Sequence, residues 1–138
     1  MKTLILDANI LIRGVLGAIL LTRYIEDTDF FAPDVAFDEA QEHLPGILEG
    51  RGVNSEVTSA MWDSLRRLVQ LVERDTYAAF ETVARERLIH RDPEDWPILA
   101  TALALRCAIW TEDNDFFGCG FATWTTDRVE IYMRESEA

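Results

Sequence analysis

The sequence predicts an α/β domain with a mainly parallel sheet, and three observations support this prediction. Segments with strand character alternate with segments of helical periodicity along the whole chain. The strand candidates are short apolar runs, as expected for parallel strands that are covered on both faces. The chain has 138 residues, of which 49% are hydrophobic. This length and composition suit one globular domain with a substantial core, so we expect residues 1–138 to form a single domain.

Four apolar segments are predicted as strands: residues 3–7, 29–33, 107–111 and 122–125. The first ends at an aspartate and the third is followed by a cluster of acids, whereas their interiors are apolar. Helices between them would cross over in the right-handed sense that parallel strands require.

Six segments are predicted as helices: residues 9–26, 34–44, 54–73, 76–88, 94–106 and a terminal helix after Asp127. Pro45 is expected to end the second helix, because an internal proline removes a backbone hydrogen bond. Asn54 can cap the third helix, whose apolar residues recur at spacings of three or four. Pro97 lacks an N–H group and is harmless only in a first turn, so the fifth helix begins near Glu94. Asp127, with an acid three residues later, can cap the last helix.

The bulk composition limits the partners and the compartment. The formal net charge is −12, from 25 acidic and 13 basic residues. Such a surface repels nucleic acid unless metal ions or a local basic patch compensate. The apolar run at residues 14–22 is far shorter than the ~20 residues that span a bilayer. Two cysteines without ligand spacing suit a reducing compartment, so we expect a cytoplasmic protein with no membrane partner.

Five acids are placed where a site is expected in an open parallel sheet, beyond the carboxyl ends of the strands. They are Asp7, Glu39, Asp95, Asp113 and Asp115. Each has an ordinary alternative role: a helix cap for Asp7, a first-turn acid for Asp95, a solvated helix residue for Glu39, and a polar turn for the last two. Only their combination indicates a site.

The chemistry of such a cluster favours a metal ion. Carboxylates a few ångströms apart raise one another's pKa, and a divalent cation removes that penalty. Oxygen ligands alone favour Mg²⁺ or Mn²⁺ over Zn²⁺, and such ions promote phosphodiester cleavage. The sequence contains no Walker loop, dinucleotide fingerprint, nucleophile elbow or zinc-protease motif. These observations predict metal-dependent phosphoryl chemistry.

The order and spacing of these residues resemble the PIN domain family, which includes the toxins of VapBC toxin–antitoxin pairs. The resemblance rests on Leu-Asp-Ala-Asn-Ile-Leu-Ile at residues 6–12, on Glu39, on Asp95 before an Ala/Leu-rich helix, and on Thr-Glu-Asp-Asn-Asp-Phe at residues 111–116. It covers essentially the whole chain. It implies a three-layer α/β/α sandwich, an endoribonuclease dependent on Mg²⁺ or Mn²⁺, a homodimer, an RNA substrate and a small antitoxin partner.

The resemblance also assigns roles to residues. The catalytic acids it implies are Asp7, Glu39, Asp95 and Asp113. The metal ligands it implies are Asp7, Asp95, Asp113 and Asp115, with Asn9 and Thr111 in support. Glu42, three residues after Glu39, stays an alternative for the second acid. The candidates for contacting the substrate are Arg13 and Arg91.

Other functional classes are less consistent with the sequence. A receiver domain or a haloacid-dehalogenase-like phosphatase needs an essential lysine, whereas the only lysine is Lys2, before the first strand. A non-catalytic PIN-like module would be expected to lack acids, and none of the four main acids is missing. A non-catalytic or non-toxin PIN-like protein of nucleic-acid binding or RNA processing stays open as the alternative.

Overall fold

The computed structural model describes residues 2–16, 21–113, 116 and 119–134. Its centre is a parallel sheet of five strands in the order β3-β2-β1-β4-β5. The strands are β1 (Lys2–Leu6), β2 (Thr28–Pro33), β3 (Val69–Val72), β4 (Ala108–Trp110) and β5 (Thr123–Trp124). The predicted fold class, with its parallel central sheet, is confirmed.

Seven α-helices are present in the described residues: α1 (Ala8–Val15), α2 (Asp34–Gly50), α3 (Ser55–Leu68), α4 (Arg74–Tyr77), α5 (Glu81–Arg87), α6 (Trp96–Leu105) and α7 (Val129–Arg134). The chain moves outward from β1 to β3 and then returns past β1 to β4. With right-handed crossovers, the helices of these two paths lie on opposite faces of the sheet. Accordingly, α1, α2 and α3 contact one another, and α4, α5 and α6 form a second group. The result is a three-layer α/β/α sandwich.

The core is deepest around β1 and α6. Leu4, Ile5 and Leu6 of β1 are fully buried, because the strand has a neighbour on each side and helices on each face. Helix α6 packs against β1, β2 and β4, and most of its side chains are buried. Among the described helices, none combines the length and apolar character that a membrane crossing needs. Asp7 directly follows β1 and Asp95 directly precedes α6, so two of the predicted site acids are attached to elements of this core.

The prediction that Pro45 ends the second helix is wrong, since α2 continues to Gly50. A proline inside a helix costs about 3 kcal/mol. Leu44 and Leu48 lie on the same buried face, and burying each contributes about 1.5–3 kcal/mol, which offsets that cost. Pro45 itself is exposed, so water can reach the backbone group that it leaves unpaired. The helix ends at a turn in which Gly52 has a φ of 77°.

The prediction of one helix over residues 54–73 is correct as far as Leu68 and wrong for the residues after it. Asn54 caps α3 as predicted, since its Oδ1 accepts a hydrogen bond from the Val57 N–H at 2.9 Å. The helix ends at Leu68, however, and Val69–Val72 forms β3, paired with β2. Pairing satisfies the backbone groups along the outer edge of β2, which a longer helix would leave open.

Two further helices are shorter than predicted. The helix predicted for residues 9–26 ends at Val15, residues 17–20 are outside the described part, and Leu21–Arg23 is a 3₁₀ turn. The chain has to reverse within this segment before β2 can pair with β1. The Lys2 N–H donates a hydrogen bond to the Asp27 carbonyl at 3.1 Å, directly before the first residue of β2. The segment predicted as residues 76–88 is α4 and α5, separated by a 3₁₀ turn at Ala78–Phe80.

Candidate active site

One cavity of about 590 Å³ opens beyond the carboxyl ends of the central strands. The chain leaves β1 toward β2, while β4 lies on the other side of β1. The ends of β1 and β4 therefore form the point where the strand order reverses, which is where open α/β sheets bind ligands. Four of the acids predicted from the sequence line this cavity: Asp7, Glu39, Asp95 and Asp113.

Asp7 is fixed by hydrogen bonds to two elements. It follows β1 directly and caps α1, because its Oδ1 accepts a hydrogen bond from the Ile10 N–H at 3.0 Å. Its Oδ2 accepts a hydrogen bond from the hydroxyl of Thr111, which is buried just after β4. The Thr111 hydroxyl in turn accepts a hydrogen bond from the Asp113 N–H at 2.9 Å. Asp7 thus serves as a helix cap and also faces the cavity.

The pKa of Asp7 is raised above its ordinary value of 3.8, chiefly because the carboxyl group is buried. The hydrogen bonds from Thr111 and from the Ile10 N–H lower the pKa, and the negative charges of Asp113 and Glu39 raise it. The net shift is upward, so the carboxylate form of Asp7 is disfavoured in the metal-free protein.

The other two acids are carried by helices. Glu39 is an exposed residue of α2 that lines the cavity. Glu42, the alternative second acid, is exposed farther along α2 and is not among the cavity-lining residues. Asp95 ends the 3₁₀ turn before α6, while the carboxylate of Asp92 caps that turn by accepting a hydrogen bond from the Glu94 N–H at 3.1 Å. Asp92 is therefore the cap of that turn, and Asp95 is one of its first-turn acids as well as a residue that lines the cavity.

The predicted supporting and substrate residues divide between the cavity and the surface. Asn9 and Arg13 of α1 line the cavity, and Arg13 Nη1 lies 3.9 Å from Glu112 Oε1. Arg91 is exposed in the turn after α5 and is not among the lining residues. Asp115 lies outside the described residues. The roles of these residues, and of the four acids, stay predictions.

Three charged residues that the sequence analysis did not assign to the site also line the cavity: Arg74, Glu94 and Glu112. Arg74 follows β3, and its position was hidden when β3 was predicted as part of a helix. Had the Val-Gln-Leu-Val run been recognised as a strand, Arg74 would have been expected at a strand end. In the described residues, six carboxylates and two guanidinium groups therefore line one cavity.

The donor chemistry of the cavity fits a divalent metal ion. All its acidic donors are oxygens, the ligand type that Mg²⁺ and Mn²⁺ prefer. A cation would also stabilise the carboxylate form of Asp7, whose pKa is raised chiefly by burial and further by the charges of Asp113 and Glu39. In the part of the chain that the structure describes, however, no three His, Cys, Asp or Glu side chains are close enough together to hold an ion. The carboxylates share a cavity without forming a closed coordination site.

Comparison with known proteins adds a family match. A profile of the PIN domain matches residues 5–134, nearly the whole chain. No curated protein sequence matches.

Solved structures with similar folds include VapBC2 from Rickettsia felis bound to a DNA fragment from its promoter. Its TM-score is 0.69 at 12% identity, over 90% of this chain and 98% of that one. PAE2754 from Pyrobaculum aerophilum has a TM-score of 0.66 at 15% identity, over 96% of this chain and 89% of that one. FitAcB from Neisseria gonorrhoeae has a TM-score of 0.57 at 20% identity, over 88% and 96%. At these identities the similarity establishes the fold.

Proposed function

The chain belongs to the PIN domain family, and on that premise we propose that it is an endoribonuclease dependent on Mg²⁺ or Mn²⁺ and the toxin of a toxin–antitoxin pair. Membership of a family of nucleases supports hydrolysis at the coarse level. One observation carries the proposal: four carboxylates from four separate segments line a single cavity at the point where the strand order reverses.

The residues that would hold the ion are Asp7, Asp95 and Asp113, with Asp115 as a further ligand predicted from the resemblance. When bound, such an ion activates water and stabilises the negative charge that develops during phosphodiester cleavage. Without a cation, the six carboxylates of the cavity would repel the phosphates of RNA.

The remaining steps fall to groups of the chain itself. Thr111 and the first turn of α1 hold the carboxylate of Asp7 in one orientation before the substrate arrives. Glu39 is exposed on α2 at the cavity, and we assign it the proton released by the attacking water. The Arg13 side chain is 42% exposed, and its guanidinium would bind a phosphate of the substrate.

The partner proposal rests on charge and on the similar folds, which include VapBC and FitAB assemblies. A chain with a net charge of −12 and an acidic cavity suits a small basic antitoxin, whose arginine could pair with the carboxylates and displace the cation. A homodimer is a further prediction.

Cleavage of a panel of RNAs by the purified protein tests the nuclease proposal. We expect cleavage with Mn²⁺ or Mg²⁺ and none with EDTA, with an Asp7→Asn variant as the inactive control. Cleavage that persists in EDTA, or at an undiminished rate in the variant, would contradict metal-dependent chemistry at this cavity.

Expression in a bacterial host tests the toxin proposal separately. We expect the wild-type protein to arrest growth, the Asp7→Asn variant to be harmless, and co-expression of a small protein encoded beside it to restore growth. If the purified enzyme cleaves RNA but its expression is harmless, the toxin proposal fails and the nuclease proposal stands.

A further inference from the structure

We propose that Arg74 is a second phosphate-binding residue of the cavity, which contacts an RNA phosphate adjacent to the one at the acids. This inference rests on the proposed ribonuclease function. It adds a residue that follows the edge strand β3, so that two arginines that line the cavity, one from α1 and one from α4, would bind the RNA backbone.

The position of Arg74 follows from the strand order. It is the second residue after β3, and β3 lies two strands away from β1, which carries Asp7. At a strand spacing of ~4.8 Å, the two strand ends are separated by roughly 10 Å. Arg74 lines the same cavity as Asp7 but is attached two strands away from it, which suits contact with a phosphate other than the scissile one. We therefore expect Arg74 to affect substrate binding more than the chemical step.

The backbone of Arg74 is held by a hydrogen bond, whereas its side chain is exposed. Its backbone N–H donates to Asp34 Oδ2 at 3.2 Å, and Asp34 also accepts a hydrogen bond of 2.5 Å from the buried Tyr77 hydroxyl. The guanidinium carbon lies 5.2 Å from the centroid of the Trp96 ring. The Arg74 side chain is nevertheless 59% exposed, and its nearest ion-pair distance to Glu81 is a loose 3.6 Å. An exposed guanidinium that packs against an aromatic ring is held in place and still has donors that can bind an anion.

Arg85 provides a matched contrast. Its guanidinium carbon lies 5.5 Å from the same Trp96 ring, and it also contacts Glu81. Its nitrogens are already bound to two carboxylates, Glu81 at 2.8 Å and Glu94 at 3.1 Å. Arg85 is not among the residues that line the cavity. The two arginines therefore share their surroundings and differ in access to the substrate.

The experiment is steady-state cleavage of a single-stranded RNA oligonucleotide at several salt concentrations by the wild type, Arg74→Gln and Arg85→Gln. Glutamine keeps a polar, planar end on the side chain, and thermal melts verify that each variant is folded. For Arg74→Gln we expect KM to rise about tenfold with kcat changed less than about twofold. The slope of log KM against log salt should fall by about 0.7, the value for one phosphate contact on a single strand. For Arg85→Gln we expect an unchanged KM and slope.

An Arg74→Lys variant, which keeps the charge, should restore the salt slope. The inference is overturned if both glutamine variants raise KM equally, because Arg74 would then act through the packing around Trp96. It is also overturned if Arg74→Gln lowers kcat alone, or leaves KM and the slope unchanged. A wild-type protein that cleaves no RNA refutes the proposed function itself, and this inference with it.

Discussion

The carboxylate cavity has two halves that are built differently. One half lies at the ends of β1 and β4, where Asp7, Thr111 and Asp113 are linked by hydrogen bonds. The other half is carried by helices, with Glu39 on α2 and Asp95 before α6. In the strand-end half the Asp7 carboxylate is held by two donors, whereas Glu39 is an exposed helical residue.

The difference shows how an acidic site can be prepared in advance and still remain adaptable. Hydrogen bonds fix the strand-end half before any ligand arrives, at the cost of a buried carboxyl whose pKa is raised. In the helical half, the Glu39 side chain is exposed and can adjust when a ligand binds. We therefore expect substitutions to have their largest effects where orientation is fixed.

The largest effect is expected for Asp7→Asn. The amide keeps an oxygen for the Ile10 N–H, so α1 stays capped, but it removes the charge at the centre of the site. We expect kcat for RNA cleavage to fall by about 10³-fold or more. A decrease in kcat of less than about tenfold would contradict the expectation that the strand-end half contributes most to catalysis.

Glu39→Gln should have a smaller effect than Asp7→Asn. Loss of a general base lowers the rate by about 10²-fold or more. We expect a value near this lower limit, because water can partly replace an exposed side chain. Glu42→Gln is the matched control, because Glu42 is on the same helix but does not line the cavity. We expect its kcat to stay within about twofold of wild type. The reverse ranking would make Glu42 the second acid.

Thr111→Val tests whether the fixed orientation itself matters. The change removes the donor to Asp7 and the acceptor for the Asp113 N–H with little change in volume. Such supporting residues typically contribute 10- to 100-fold, so we expect about a 30-fold loss of kcat. Thr111→Ser keeps the hydroxyl and should retain most of the activity. Equal losses in both variants would indicate a packing defect.

The smallest effect is on stability and depends on pH. Because the folded-state pKa of Asp7 is raised above 3.8, its stabilising contribution is present below pH 3.8 and is lost as pH rises through the folded pKa. In EDTA at pH 7, we therefore expect Asp7→Asn to be more stable than wild type by on the order of 1 kcal/mol. This advantage should shrink as the pH falls toward 3.8. Denaturant unfolding at several pH values measures it, and an advantage that grows on acidification contradicts the cause given.

Much of the strand-end half could be predicted from the sequence, because its information is local. An apolar run that ends in Asp7 and another that ends just before Asp113 predict two buried strands with acids at their carboxyl ends. Such ends meet at one edge of a parallel sheet, so two distant segments can be placed together without a structure. The cap at Asn54 and the start of the helix near Glu94 were predictable for the same reason.

The helical half and the far edge of the sheet were decided by tertiary structure. Both Glu39 and Glu42 are acids of one helix, and only the packing of α2 determines which of them faces the cavity. The helical spacing of residues 65, 68 and 72 continues into β3, so the local pattern favoured a helix. Pairing with β2 converts that segment into a strand and brings Arg74 to the site. A local pattern cannot predict this outcome, because the stabilising hydrogen bonds are made with residues about forty positions away in the chain.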